Sequence, residues 1–203
     1  MKFGKYNWRV LNAQNDKKLI ITEDIIEVRP YDSEFTDEYD FGNLLWESCS
    51  LRRYLNGEFL EKFTGEEQEQ IIETKICNPN NLWYGISGGV DTQDKIFLLS
   101  LEESDKYFGN SGDYINGRRK DLDFDADKYI EKDEGGYFSN AHDAERAAKY
   151  DGLPAFWWLR SPGIHKASAA SVFYNGGVCV FGLDTGAILD VICGVRPALW
   201  VKN

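Results

Sequence analysis

The C-terminal stretch from Phe156 to Val201 constrains the fold most, because short apolar runs alternate there with turn residues. Runs rich in Val, Phe and Tyr flank Asn175-Gly176-Gly177. Asn and Gly tolerate the positive φ angles of tight turns, so we predict a β-hairpin centred on this triplet. A second turn is predicted over residues 182–186, followed by a strand over residues 187–192.

Another hairpin is predicted at the N-terminus. Apolar residues alternate from Tyr6 to Asn12, turn residues follow, and a second apolar run extends from Lys18 to Thr22. Two such runs joined by turn chemistry are typical of paired antiparallel strands.

The middle of the chain is expected to supply the helices. A Ser or Thr followed three residues later by Glu has the spacing of an N-terminal capping box, and it occurs at Thr64-Glu67 and Ser100-Glu103. We predict that the first of these helices reaches Thr74, and that a further helix extends from Ala141 to Tyr150.

Length and charge exclude some classes of protein. The chain has 203 residues, 42% of them hydrophobic, which suits one substantial core. We therefore expect a single domain over residues 1–203. The net charge is −11, and the strongest basic run is Arg118-Arg119-Lys120, so a nucleic-acid partner is not expected.

The sequence carries no membrane signal. No apolar run approaches the ~20 residues that a membrane-spanning helix needs. The N-terminal residues from Met1 to Tyr6 lack the apolar centre of a signal peptide. We expect a cytoplasmic protein without a membrane partner.

An acidic segment over residues 121–134 resembles the start of a calcium-binding loop. Every second residue from Asp121 to Asp127 is an aspartate. Ala126 stands where the loop requires Gly, and Lys132 where it requires a bidentate Glu. A solvated acidic loop is therefore favoured, and calcium binding stays open.

No catalytic set is recognisable. The chain has two histidines, His142 and His165, without the spacing of a zinc site or of a hydrolase triad. The four cysteines are widely spaced and are expected to be reduced and largely buried. We predict no catalytic residue, no metal site and no cofactor.

Candidate ligand contacts lie on irregular or turn segments. Trp83 and Tyr84 precede the glycine-rich residues 85–89, where aromatic rings can form a stacking surface. Arg160, His165 and Tyr174 complete the set. Two structural alternatives remain open: Trp83 fills a small core beneath its loop, and Arg160, like Arg196, pins a loop to the sheet.

Five motifs extend nearly from end to end of the chain. They are Trp8-Arg9-Val10-Leu11, Leu51-Arg52-Arg53-Tyr54-Leu55-Asn56, Lys95-Ile96-Phe97-Leu98-Leu99-Ser100, Trp157-Trp158-Leu159-Arg160-Ser161-Pro162-Gly163 and Gly194-Val195-Arg196-Pro197-Ala198-Leu199. Together they resemble a bacterial family of unknown function that is common in anaerobic Gram-positive gut bacteria.

The order of the C-terminal elements is also similar to the C-type-lectin-like fold. This resemblance implies an α+β fold whose twisted, mainly antiparallel sheet joins both termini, with helices from the middle of the chain. It further implies that Trp8 to Leu11 pairs antiparallel with Ala198 to Val201. The calcium-binding triplets of the lectins and the close cysteine pair of the formylglycine-generating enzymes are missing from the sequence.

These features favour a non-enzymatic binding module. Its partner would be a small ligand, a glycan or a protein, bound by loops that carry the candidate residues. One alternative is an enzyme that uses Cys179 or Cys193 with a metal in oxidative chemistry. Another is a structural domain that contacts a protein partner.

Overall fold

The computed structural model describes residues 1–34, 44–117, 136–184 and 193–203. Strands predominate in these ranges, and the helices are short and come mostly from the middle of the chain. The predicted α+β class with a mainly antiparallel sheet is confirmed.

The first sheet combines strands from both ends of the chain. The strands are β1 (Lys2–Phe3), β2 (Tyr6–Ala13), β3 (Lys17–Thr22), β5 (Ile71–Ile72), β8 (Ile96–Phe97) and β15 (Ala198–Lys202). The main path of the sheet runs in the order β1-β2-β3-β15-β5, with β8 also pairing β15, and its pairs are antiparallel.

The second sheet is built mostly from the C-terminal half. The strands are β4 (Glu27–Val28), β9 (Tyr137–Phe138), β10 (Ala148–Tyr150), β11 (Leu153–Pro162), β12 (Ser168–Val172), β13 (Val178–Asp184) and β14 (Cys193–Val195). The path of the sheet is β4-β14-β11-β12-β13-β9, and β10 also pairs β11. The pair β11–β14 is parallel and the others are antiparallel.

A two-stranded ribbon and the helices complete the described part. The ribbon joins β6 (Thr74–Ile76) to β7 (Thr92–Asp94). The α-helices span Ser50–Tyr54, Gly65–Gln70, Leu101–Tyr107, Asp113–Asn116 and Asp143–Arg146, and the first of them continues through a π-helical turn, Leu55–Phe59, and a 3₁₀ turn, Leu60–Lys62. Buried apolar side chains from both sheets and the helices form one contiguous core.

The predicted pairing of Trp8 to Leu11 with Ala198 to Val201 is wrong. Strand β15 pairs with β3, with Ala198 opposite Ile21, and β2 lies on the far side of β3. The apolar run of β3 is buried throughout, whereas Trp8 is the one buried residue of β2. The more apolar strand of the hairpin therefore takes the central position.

Both predicted hairpins and both capping boxes are confirmed. The helix that begins after Thr64 ends at Gln70, where residues 71–72 join the first sheet. Of the turn predicted over residues 182–186, residues 185–186 lie outside the described residues, whereas residues 182–184 continue β13, so this part of the prediction is wrong. A register shift opposite this segment marks a bulge in the hairpin. The strand predicted over residues 187–192 lies outside the described residues.

The helix predicted from Ala141 to Tyr150 is also wrong. Only residues 143–146 are helical, and residues 148–150 pair with Leu153 to Ala155. The intervening Asp151 and Gly152 have φ angles of 49° and 81°. Positive φ at both central positions is the geometry of a tight hairpin turn. Residues 148–150 form the first strand of this hairpin, so the helix stops at Arg146.

Arginine side chains that reach backbone carbonyls hold the loops against the sheets. Arg160 donates from Nη1 to the Leu98 carbonyl over 2.7 Å and from Nη2 to the Cys77 carbonyl over 2.8 Å. It also pairs with Glu103, whose carboxylate caps the backbone N–H of Ser100. One buried guanidinium thereby connects a strand, a loop and a helix start.

Arg196 does the same for the N-terminal hairpin. Its guanidinium donates to the carbonyls of Thr22, Glu23 and Arg146 over 2.9–3.0 Å and lies 5.0 Å from the centre of the Trp157 ring. Burial lowers the pKa of Arg196 to about 9. The expectation that Arg160 and Arg196 pin loops agrees with these contacts.

We predict that Arg160→Met lowers the free energy of unfolding by about 3–5 kcal/mol, because it leaves Glu103 and buried carbonyls without their donor. Arg53→Met is the matched control, since Arg53 is exposed and pairs with the exposed Glu34. Its loss should stay below about 1 kcal/mol. Urea unfolding of both variants measures the difference, and equal losses would contradict the role given to Arg160.

A second prediction compares two glycines in hairpin turns, Gly152 and Gly176, both with positive φ. A Cβ at Gly152 meets no atom within 4 Å, whereas one at Gly176 would lie 1.8 Å from the Asp143 carbonyl oxygen. Gly152→Ala should cost about 1–2 kcal/mol from backbone strain. Gly176→Ala should cost a further ~1–3 kcal/mol from crowding. Thermal unfolding measures the loss of stability in both variants. If Gly176→Ala loses no more stability than Gly152→Ala, the turn at Gly176 can move to accommodate a Cβ, and the prediction is wrong.

Candidate functional site

Four aromatic side chains form a continuous surface on the second sheet: Tyr137, Phe156, Phe173 and Tyr174, called the aromatic surface below. The ring centres of Phe156 and Phe173 are 5.2 Å apart, those of Phe156 and Tyr174 5.7 Å, and those of Tyr137 and Phe173 6.2 Å. Tyr137 is 52% exposed and Tyr174 56%, and the other two are partly buried. The rings thus form a connected apolar area that reaches solvent.

Strand register brings these rings together. Trp157 of β11 pairs with Val172 of β12, and both are fully buried in the core. Side chains alternate along a strand, so the next residues, Phe156 and Phe173, point together to the opposite face.

Tyr137 reaches the same face from the edge of the sheet. It lies on β9 opposite Cys179 of β13, which in turn pairs with Ser171 of β12. Ser171 and Phe173 are two residues apart and share a face, so Tyr137 arrives beside Phe173. The next residue on β9, Phe138, points inward and is buried.

The turn that carries Tyr174 is held from below by the helix Asp143–Arg146. Arg146 is fully buried and donates from Nε to the Gly176 carbonyl over 2.8 Å. Its Nη2 donates to Asn140 Oδ1 over 2.8 Å and to the Asp143 carboxylate. Gly176 also packs directly against the Asp143 backbone. Two independent contacts therefore fix the turn.

Asp143 is held in its ionised form at the border of this turn. Partial burial opposes ionisation, but hydrogen bonds from the Ser139 hydroxyl, the Asn140 backbone N–H and Arg146 lower the pKa of Asp143 below its ordinary value. Its carboxylate oxygens can therefore only accept hydrogen bonds at neutral pH.

The segments that form the aromatic surface carry no charge. Residues 136–139, 153–157 and 172–178 contain no Asp, Glu, Lys, Arg or His, in a chain of which 28% is charged. The polar side chains on these segments are hydroxyls and an amide: Tyr137, Ser139, Tyr174 and Asn175. This area of the surface can therefore offer ring faces and neutral hydrogen-bonding groups.

Of the candidate contacts predicted from sequence, Tyr174 lies in the aromatic surface and Trp83 lies beneath it. Trp83 is 8% exposed, and its Nε1 donates to the Tyr114 carbonyl over 2.7 Å. Its ring stacks on Tyr114 and lies 6.2 Å from the ring of Phe138, so it supports β9 from the inner side. Tyr84 is partly buried and packs against the core.

The structure does not bring Arg160 and His165 to the same place as Tyr174. Arg160 is 4% exposed and hydrogen-bonded within the core contacts described above. His165 is exposed in the turn between β11 and β12, where its backbone N–H donates to Ser168 Oγ. That turn precedes β12, whereas Tyr174 follows it, so the two lie at opposite ends of the strand. Ligand contact by these residues stays a prediction.

Sequence reasoning missed Tyr137, Phe156 and Phe173. Phe156 and Phe173 flank the buried Trp157 and Val172, and the period-two alternation could have placed them on the outer face. Tyr137 carries no comparable signal, because β9 has two residues and finds its place only through its pairing with β13.

The thiols differ sharply in accessibility. Burial raises the pKa of Cys179 to about 12 and raises that of Cys193 well above its ordinary value. Cys49 is also buried, whereas Cys77 is exposed. Within the described ranges, no three His, Cys, Asp or Glu side chains converge as a metal site would require. The acidic segment over residues 121–134 lies outside those ranges.

No helix in the described part of the chain is both long and apolar enough to cross a bilayer.

Comparisons with known proteins identify a family. No curated protein and no solved structure matches the chain. A family profile described as "Domain of unknown function (DUF6273)" matches residues 15–203. Membership of a family of unknown function, expected from the sequence motifs, is thereby confirmed. The chain belongs to the DUF6273 family.

Proposed function

We propose that this protein is a non-enzymatic binding module whose ligand contacts the aromatic surface. The observation that carries the proposal is the unbroken contact of four rings, two of them more than half exposed, on one face of the second sheet. All six tryptophans, by contrast, are buried. Connected aromatic area left in water favours a role in recognition.

We further propose that residues 1–203 form one domain of C-type-lectin-like type. Strands from both ends of the chain share the first sheet, and the C-terminal half supplies most of the second. The contiguous core that includes Phe3 and Val201 supports a single folding unit.

The other predicted contacts take different parts in this proposal. Tyr84 and His165 remain candidates for direct contact because each is at least partly accessible. Trp83 and Arg160 would contribute by holding the loops in place, since both are buried and hydrogen-bonded to backbone carbonyls. The partner is a small ligand, a glycan or a protein.

The double variant Tyr137→Ala/Tyr174→Ala should lose binding on a combined glycan and peptide array, because it removes the two exposed rings. Both side chains are exposed, so the fold should survive, which circular dichroism checks. Tyr150→Ala is the matched control: Tyr150 is an exposed tyrosine that pairs with Leu153, three residues from Phe156 and hence on the opposite face. If the double variant gives the same array profile as the wild-type protein, the ligand binds outside the aromatic surface.

The enzyme alternative requires a substrate or a metal to reach the sulfur of Cys179 or Cys193. Both thiols are buried, and burial raises the pKa of each, which favours the thiol over the reactive thiolate.

With a thiol-specific reagent such as DTNB at pH 8, we predict rapid reaction at Cys77 alone in the folded protein and at all four cysteines in denaturant. A Cys77→Ser variant should then show no rapid phase. Rapid modification of Cys179 or Cys193 in the folded variant would contradict the burial on which this argument depends.

A further inference from the structure

We infer that the aromatic surface binds an uncharged saccharide. This inference rests on the proposed function and narrows it to one class of ligand. It follows from the uncharged composition of the surface and from the hydrogen-bonding groups that the surface carries.

The segments that form the aromatic surface are uncharged. The chain has a net charge of −11, yet the 16 residues of segments 136–139, 153–157 and 172–178 carry no Asp, Glu, Lys, Arg or His. Asp143, at the border, is paired with Arg146. An anionic ligand would meet an acidic protein without a local cation on these segments, and a cationic ligand would find no unpaired carboxylate on them. The surface therefore fits an uncharged ligand.

Hydroxyl and amide groups lie on and beside the rings of the aromatic surface. Rings alone would suit any apolar ligand, but this surface also carries the hydroxyls of Tyr137 and Tyr174, and exposed Ser139 and Asn175 lie beside them. A sugar ring has apolar C–H faces that can lie on aromatic rings, and hydroxyls that need partners once water is removed. A border of hydroxyl and amide groups around exposed rings supplies both requirements.

A proline-rich peptide also docks on exposed aromatic rings. Its tertiary amides have no N–H to donate. The exposed hydroxyls of Tyr137 and Tyr174 and the amide of Asn175 can both donate and accept hydrogen bonds. A saccharide, whose hydroxyls also donate and accept, therefore matches this surface better than a ligand of tertiary amides.

The experiment measures binding of neutral hexasaccharides (gluco-, xylo-, manno- and galacto-configured), polygalacturonate and a proline-rich decapeptide by titration calorimetry. We expect at least one neutral hexasaccharide to bind. Tyr174→Ala should weaken it by roughly tenfold, the loss of one stacked ring. Tyr174→Phe keeps the ring and should weaken it less, and Tyr150→Ala should leave it unchanged. Affinity should change less than about twofold between 50 and 500 mM salt, because no ion pair forms.

The possible results separate this inference from the proposed function. If no neutral hexasaccharide binds, or if binding ignores Tyr174→Ala, the saccharide inference is wrong. If the peptide or polygalacturonate alone binds and Tyr174→Ala abolishes that binding, the inference is wrong while the aromatic surface stands as a binding site. If neither this panel nor the array shows binding that depends on Tyr137 or Tyr174, both are wrong.

Discussion

The described structure depends on arginine side chains that satisfy backbone carbonyls inside the fold. Arg196 ties the end of the N-terminal hairpin to the second sheet, and Arg160 ties the loop at Cys77 to the strand end at Leu98. A buried carbonyl without a donor is costly, so irregular segments can pack against sheets only where such donors reach them. A guanidinium suits this task because its five N–H groups can serve several carbonyls at once.

A third arginine, Arg146, connects Arg196 and the core to the aromatic surface. The Arg146 carbonyl accepts hydrogen bonds from Arg196 and from the Trp157 indole, while the Arg146 side chain holds the carbonyl of Gly176. Motif residues such as Arg160 and Arg196 therefore act in the frame, and the four rings of the aromatic surface lie outside those motifs. Motifs of this kind carry information on the fold and none on a ligand.

Local chemistry in the sequence was sufficient where an element depends on neighbouring residues. The capping boxes at Thr64 and Ser100 and the hairpin at residues 175–177 follow from such rules. The central position of β3 was not predictable in this way, because β2 and β3 are both possible partners of β15 and local sequence patterns do not decide between them. The helix expected through Tyr150 rested on start and stop residues alone, and Gly152 belongs instead to the Asp151-Gly152 turn of a hairpin in which residues 148–150 pair with Leu153 to Ala155. Of the aromatic surface, Tyr174 alone was predicted, since the others converge only through register across four strands.

The rigidity of the aromatic surface bears on how it can bind. Phe156 and Phe173 are fixed by strand pairing, and Tyr174 extends from a turn held by Arg146 and packed against Asp143. Binding to side chains that are already ordered loses less conformational entropy than binding to a flexible loop. An aromatic ring also has few rotatable bonds, so its ordering on contact costs little. A ligand that contacts few atoms could therefore gain useful affinity here, and the spacing of the rings, set by the sheet, would select its shape.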